Sequence, residues 1–158
     1  MASEITCIGV GNAYRSDDGL GLEIVRRLKR AQLVGTSVIE QSGEGLALVD
    51  ILARKNNVYI FDAVRSGTKK PGTIYRLEAH RETMPRHFFN YSTHDFSVAE
   101  AIELARQLNQ LPGRLIVYGV EGLNFEMGVS LSPQILPAVN KVVQRIIAEI
   151  KTPSGVLR

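Results

Sequence analysis

Apolar and polar positions along the chain follow two periods, which together predict five strands and four helices. Short apolar or β-branched runs that end at turn or acidic residues predict strands, whereas apolar residues at helical spacing predict amphipathic helices. The predicted strands cover residues 4–9, 36–40, 58–61, 73–77 and 114–120. The predicted helices cover residues 19–31, 45–54, 96–108 and 132–151, the last one beginning at a Ser-Pro pair.

The order of these elements predicts the fold class. Strand and helix alternate as β-α-β-α-β, then an extra strand follows, and α-β-α completes the chain. Such alternation is typical of a mostly parallel sheet covered by helices on both faces. Strands 58–61 and 73–77 are joined by a turn without a helix, and a connection this short favours an antiparallel strand. We expect an α/β three-layer sandwich whose five-stranded sheet has one antiparallel strand.

Length and composition limit the possible function classes. The 158 residues, 44% hydrophobic and 22% charged, predict one domain over residues 1–158, with a frayed tail from residue 152. The net charge is only +3, and the densest basic group, residues 26–30, is interpreted as the solvated face of a helix. Neither a signal sequence nor a membrane span is evident. We therefore expect a cytoplasmic monomer without nucleic-acid or membrane partners.

Candidate chemistry lies where the predicted strands end. In parallel sheets, sites form at the carboxyl ends of the strands, near the point between strands one and three where the chain order reverses. Asp17 and Asp18 lie at the head of the first helix, and we interpret Asp17 as its cap. Asp62 directly follows the third strand, where a carboxylate is costly unless it is exposed, paired or bound to a cation.

His94 is the candidate that accompanies the two carboxylates. It lies at a predicted helix start in a long loop, which distinguishes it from His80 and His87 in the same stretch. Asp18, Asp62 and His94 converging from three strand ends would form a facial ligand set for a first-row divalent metal, nickel included. The absence of thiolate ligands argues against a structural zinc site.

Several common enzyme classes are excluded. Tyr14 stands where a dinucleotide-binding fingerprint needs glycine, and the sequence has no Walker A motif, H-E-x-x-H motif or G-x-S-x-G elbow. The single cysteine, Cys7, lies in an apolar strand, which is a poor place for a reactive thiolate.

The sequence resembles the hydrogenase maturation proteases from about residue 5 to residue 150. The strongest motif is G-x-G-N-x-x-x-x-D-D-G-x-G at residues 9–21, and Y-G-V-E-G at 118–122 with L-S-P at 131–133 also resembles the family. The resemblance implies that Asp18, Asp62 and His94 are the nickel-binding and catalytic residues. Many members carry D-G-G-T-x-G where this chain has residues 40–45, E-Q-S-G-E-G, so the class of hydrogenase served stays open.

The resemblance implies an endopeptidase that removes the C-terminal peptide of a nickel-loaded [NiFe]-hydrogenase large-subunit precursor, the nickel being carried by that substrate. Two chemistries stay open. Nickel could act as Lewis acid or as the source of a polarised water, or a carboxylate could act as general base, in the manner of an aspartic-type endopeptidase, while nickel serves only for recognition. A non-cleaving, chaperone-like module that recognises nickel sites is the alternative function.

Overall fold

A five-stranded sheet forms the centre of the protein. The computed structural model describes residues 4–42, 45–85 and 97–152. The strands are β1 (Ile5–Val10), β2 (Thr36–Gln41), β3 (Asn57–Val64), β4 (Ile74–Glu78) and β5 (Arg114–Glu121). The helices are α1 (Leu20–Arg30), α2 (Gly45–Arg54), α3 (Val98–Gln107) and α4 (Leu136–Lys151). Short 3-10 turns at Ser16–Gly19 and Pro133–Ile135 precede α1 and α4.

The strand order is β2-β1-β3-β5-β4, and the pairing confirms the predicted fold class. The β1–β2, β1–β3 and β3–β5 pairs are parallel, while β4 pairs with β5 in antiparallel orientation. The connection from β3 to β4 contains no helix, so the chain turns back along the sheet instead of crossing over it.

Two apolar cores lie on opposite faces of the sheet, because successive side chains of a strand point to opposite sides. Along β3, Val58 and Ile60 pack against α2 and α3, whereas Tyr59 and Phe61 pack against α1 and α4. Burying each such side chain contributes roughly 2 kcal/mol. The helices therefore cover both faces, as the sequence predicts.

The end of β3 differs from the prediction. Sequence reasoning ends this strand at residue 61, but the strand continues to Val64, and Asp62 pairs in register with Gly119 of β5. Asp62 therefore lies within a parallel ladder instead of following it. A single carboxylate interrupts the apolar period without interrupting the backbone hydrogen bonds.

The bounds of α1, α2 and α3 agree with the prediction to within two residues, whereas α4 begins at Leu136, after a 3-10 turn at Pro133–Ile135, and not at residue 132. Helix α3 begins after Ser97. The Ser97 hydroxyl accepts a hydrogen bond from the Glu100 N–H at 3.1 Å, and the Ser97 N–H donates to Glu100 Oε1 at 3.1 Å. This reciprocal cap fixes the start of α3. The predicted start at residue 96 and the tail beyond residue 152 lie outside the described residues. No helix in the described part is long and apolar enough to cross a membrane.

Candidate active site

The candidate site lies at the carboxyl edge of the sheet, between β1 and β3. These strands are parallel neighbours, and β2 pairs with the other side of β1, so the chain order reverses between β1 and β3. Asp18 belongs to the 3-10 turn that follows β1, and Asp62 belongs to β3. The sheet topology thus brings these two predicted site residues to one place.

Two glycines allow the turn after β1 to lie tightly against the sheet. Gly11 has a φ of +150°, and a Cβ on it would lie 1.9 Å from the carbonyl oxygen of Asp18. A Cβ on Gly21, in the first turn of α1, would lie 2.3 Å from the Phe61 carbonyl oxygen. Only glycine fits at these approaches. The motif spacing therefore holds Asp18 close to the end of β3.

Asp18 is half-buried, and one of its oxygens has a backbone partner. The Asn12 N–H donates to Asp18 Oδ2 at 2.9 Å. Burial raises the pKa of Asp18, and the hydrogen bond from Asn12 and the positive charge of Arg15 only partly oppose this increase.

Asp62 carries the stronger perturbation of the two carboxylates. Burial raises the pKa of Asp62 well above its ordinary value, and the neighbouring negative charge of Asp18 raises it further. The Ala63 N–H donates to Asp62 Oδ1 at 2.9 Å, which lowers the pKa by a smaller amount. Two carboxylates are therefore held close enough to repel each other.

The second oxygen of each carboxylate, Asp18 Oδ1 and Asp62 Oδ2, receives no hydrogen bond within the described part of the chain. Such oxygens are suitable ligands for a divalent cation. Among residues 4–42, 45–85 and 97–152, no three His, Cys, Asp or Glu side chains are grouped closely enough to hold a metal ion. The described residues thus bring together two candidate ligands.

The histidine of the predicted set is not tested here, because His94 and His87 lie outside the described residues. His80 lies elsewhere: its Nδ1 accepts from the Leu115 N–H at 3.0 Å, near the amino end of β5. That position is at the opposite edge of the sheet from Asp18 and Asp62. The preference for another histidine over His80 is consistent with this placement.

Asp17 does not have the role expected from the sequence. It makes no capping hydrogen bond to the turn or to α1, and it is completely buried. Its carboxylate accepts four hydrogen bonds from the loop between β5 and α4. The donors are the backbone N–H groups of Leu123 (2.8 Å), Asn124 (2.9 Å) and Ser132 (2.7 Å) and the Ser132 hydroxyl (2.8 Å). Asp17 therefore fastens the β1–α1 turn to a distant loop.

A second buried carboxylate, Glu121 at the end of β5, fixes the loop after β3. It accepts hydrogen bonds from the Ser66 N–H at 2.8 Å, the Ser66 hydroxyl at 2.6 Å and the Tyr75 hydroxyl at 2.9 Å. Glu121 is 2% exposed. Hydrogen bonds to a buried carboxylate offset its desolvation, so Glu121 and Asp17 stabilise the loops around the site.

The family model described as HycI, hydrogenase maturation protease, matches residues 22–149. The chain belongs to the hydrogenase maturation protease family. It is 30% identical over 146 residues to the hydrogenase expression/formation protein HupD of Thiocapsa roseopersicina, a match that covers 89% of this chain and 65% of that relative. It is 26% identical over 155 residues to the hydrogenase 2 maturation protease of Escherichia coli strain K12, covering 96% and 93%.

The fold of the protease matches a solved member of the family. The hydrogenase maturating endopeptidase HybD from Escherichia coli aligns with a TM-score of 0.77 at 24% identity, covering 94% of this chain and 92% of that one. At this identity the likeness concerns the fold. Together with the family membership, it confirms the predicted resemblance and identifies the protein as a peptide hydrolase.

Cys7 is not suited to be the nucleophile of this protease. It lies in β1 with no solvent exposure, and burial raises the pKa of its thiol to about 12. A thiol with this pKa is protonated at neutral pH and reacts slowly. The environment of Cys7 therefore agrees with the prediction, made from the sequence, that this cysteine is not a reactive thiolate.

Sequence reasoning missed the roles of Asp17 and Glu121 in this protease. For Glu121 a signal existed, because it is a carboxylate at the end of an apolar strand, the criterion that selected Asp62. For Asp17 the signal was weaker. Two adjacent carboxylates exceed what one helix cap needs, but the sequence does not show which of them faces the protein interior.

Proposed function

We propose that this protease is a cytoplasmic endopeptidase that removes the C-terminal peptide from a nickel-loaded [NiFe]-hydrogenase large-subunit precursor. The observation that carries the proposal is the pair of neighbouring carboxylates, Asp18 and Asp62, each with an oxygen free of hydrogen bonds within the described chain. A divalent cation between them relieves the repulsion. The relatives named as hydrogenase maturation proteases supply the class of substrate.

In this proposal the nickel belongs to the substrate and reaches the protease with the precursor. Asp18 and Asp62 provide carboxylate oxygens to it, and His94 provides the third ligand. Nickel held in this way marks a precursor whose metal loading is complete. Carboxylate and imidazole ligands leave coordination positions open for the ligands that the precursor keeps.

Two routes to cleavage fit this arrangement. In the first, the nickel polarises the scissile carbonyl or a bound water, and the carboxylates only hold it. In the second, one of the two carboxylates acts as general base toward water, as in an aspartic-type endopeptidase, while nickel serves only for recognition.

The decisive test uses purified precursor in nickel-loaded and nickel-free forms. We expect the wild-type protease to shorten the nickel-loaded precursor by one C-terminal peptide, detected by intact-protein mass spectrometry, and to leave the nickel-free form intact. A precursor that binds and keeps its full length would show a non-cleaving recognition module instead. Cleavage of both forms at equal rates would contradict the role of nickel.

Ligand assignment needs a separate measurement. A crystal soaked with cadmium, zinc or nickel should show the ion against Asp18, Asp62 and His94. An ion bound to His80 or His87 and away from the carboxylates would overturn the choice of histidine. His80→Gln serves as the matched variant, because His80 lies at the opposite edge of the sheet and its loss should leave the soaked ion in place.

A further inference from the structure

Large exposed apolar side chains are concentrated at the carboxyl edge of the sheet. Seven such side chains occur in the described part of the chain, and five of them lie in segments that follow β1, β2 or β5. Four belong to the β1–α1 and β5–α4 connections beside Asp18, with 49–76% of each side chain exposed. We call these four the apolar rim: Tyr14, Leu123, Met127 and Val129.

Backbone hydrogen bonds fix the rim in place. The Gly128 N–H donates to the Tyr14 carbonyl at 2.9 Å, and the Ser16 N–H donates to the Gly128 carbonyl at 2.8 Å. The Ser16 hydroxyl donates to the Glu126 carbonyl at 2.8 Å. Several exposed apolar side chains carried by neighbouring loops next to a site indicate an interaction surface.

The rim is connected directly to the candidate site. The Tyr14 N–H donates to Asn12 Oδ1 at 2.9 Å, and the Asn12 N–H donates to Asp18 Oδ2 at 2.9 Å. On the other side, the Leu123 N–H donates to the buried carboxylate of Asp17. One bonded unit therefore carries both Asp18 and the rim.

The composition of the rim indicates the chemistry of its partner. Residues 122–132 contain a single charged side chain, that of Glu126. A charged partner segment would lose hydration here without gaining an opposite charge, whereas an apolar segment would exchange water for apolar contact. This segment is largely uncharged and therefore favours an uncharged, apolar stretch of chain.

We infer that the apolar rim binds an uncharged, apolar segment of the precursor polypeptide next to the scissile bond. The inference rests on the proposed function and adds to it, because nickel recognition by Asp18 and Asp62 alone does not require protein contact. Through the rim, the protease recognises a polypeptide surface as well as a metal ion. A second copy of this chain is the competing occupant.

The test inserts charge into the rim without touching the site. The double variant Met127→Glu, Val129→Glu places two carboxylates on exposed positions. The control, Val34→Glu with Leu108→Glu, places them on positions that are 96% and 53% exposed at the opposite edge of the sheet. All proteins are compared at equal folded concentration by circular dichroism, with kcat and KM measured for cleavage of the nickel-loaded precursor.

We expect the rim variant to raise KM about tenfold or more while kcat stays within about threefold of wild type, and the control to match wild type. An unchanged KM overturns the inference, and so does a loss of kcat alone. Light scattering measures the oligomeric state and so tests whether a second copy of this chain occupies the rim. If wild type is a dimer and the rim variant a monomer, the rim binds a second copy and the inference is wrong.

Failure of the proposed function gives a different result. If wild type binds the precursor without cleaving it, the endopeptidase proposal fails, and the same variants are compared by equilibrium binding to the intact precursor. A tenfold weaker affinity of the rim variant alone then supports the rim, and equal affinities overturn it. If wild type neither binds nor cleaves the precursor, both proposals are overturned.

Discussion

Two carboxylate sites on opposite sides of the molecule have opposite electrostatic properties. Toward the amino edge of the sheet, Glu149 of α4 accepts hydrogen bonds from the hydroxyls of Tyr59 (2.7 Å) and Tyr118 (2.8 Å) and from Arg76 Nε (3.0 Å). Arg114 lies within 3.8 Å. Burial by itself would raise the pKa of Glu149, but the hydrogen bonds from Arg76 and the two tyrosines outweigh it and lower the pKa.

At the carboxyl edge, Asp62 is also withdrawn from water, yet it has another carboxylate beside it instead of arginine. Its pKa is raised, by burial first and by Asp18 second. The comparison shows that burial alone does not make a site. A buried carboxylate with its own cations stabilises the fold, whereas a pair without them is available to a cation brought by a substrate.

Asp17→Asn tests a third arrangement, a buried carboxylate satisfied by neutral donors. An amide cannot accept all four hydrogen bonds, because its NH₂ group faces N–H donors. We expect the free energy of unfolding to fall by about 2–3 kcal/mol, and cleavage to fall about 10²-fold at equal folded concentration, since Asp18 is displaced. Urea denaturation and precursor cleavage measure these effects.

The control for Asp17 is Asp50→Asn, which removes an exposed carboxylate that pairs with Arg54 on α2. It should change the free energy of unfolding by no more than about 0.5 kcal/mol and should leave the rate of cleavage unchanged. If the two variants have equal stability and equal cleavage rates, Asp17 has only the minor role of a helix cap that the sequence indicates.

Glu149→Gln tests the carboxylate that is hydrogen-bonded by Arg76 and two tyrosines. We expect a loss of about 1–2 kcal/mol at neutral pH, because the amide replaces a charge-assisted acceptor by a weaker one. The pKa of Glu149 is lower in the folded state, so its stabilisation is present above the unfolded pKa of about 4.3 and is lost as pH falls through the folded pKa. Urea midpoints of wild type and variant should therefore converge in acid; a difference that grows in acid would contradict the assignment.

Asp62→Asn tests the repelling pair in the absence of substrate, and its expected effect on stability is the smallest. Removing one of two neighbouring, partly buried carboxylate charges should stabilise the metal-free protein by about 1 kcal/mol, a rise in Tm of about 2–4 °C. Scanning calorimetry measures it. A clear fall in Tm would show that the Asp62 carboxylate is already satisfied within the protein.

The sequence predicts the fold well because its signals are local. Helix α2 has the predicted bounds, and the antiparallel position of β4 follows from the absence of a helix between two strands. Asp18 and Asp62 converge as the order of strands predicts. Local signals could not reveal Asp17's partners, since its hydrogen bonds reach residues 106 to 115 positions later in the chain. The apolar rim depends on the same distant pairing, and His94 stays a prediction.

The most direct test of the account compares cleavage of nickel-loaded precursor by wild type, Asp62→Asn and Glu149→Gln at equal folded concentration. We expect Asp62→Asn to slow cleavage about 10²–10⁴-fold although the protein is at least as stable as wild type. We expect Glu149→Gln to cleave at close to the wild-type rate although the protein is less stable. Rapid cleavage by Asp62→Asn, together with loss of cleavage by folded Glu149→Gln, would place the chemistry at the other edge of the sheet and contradict the account.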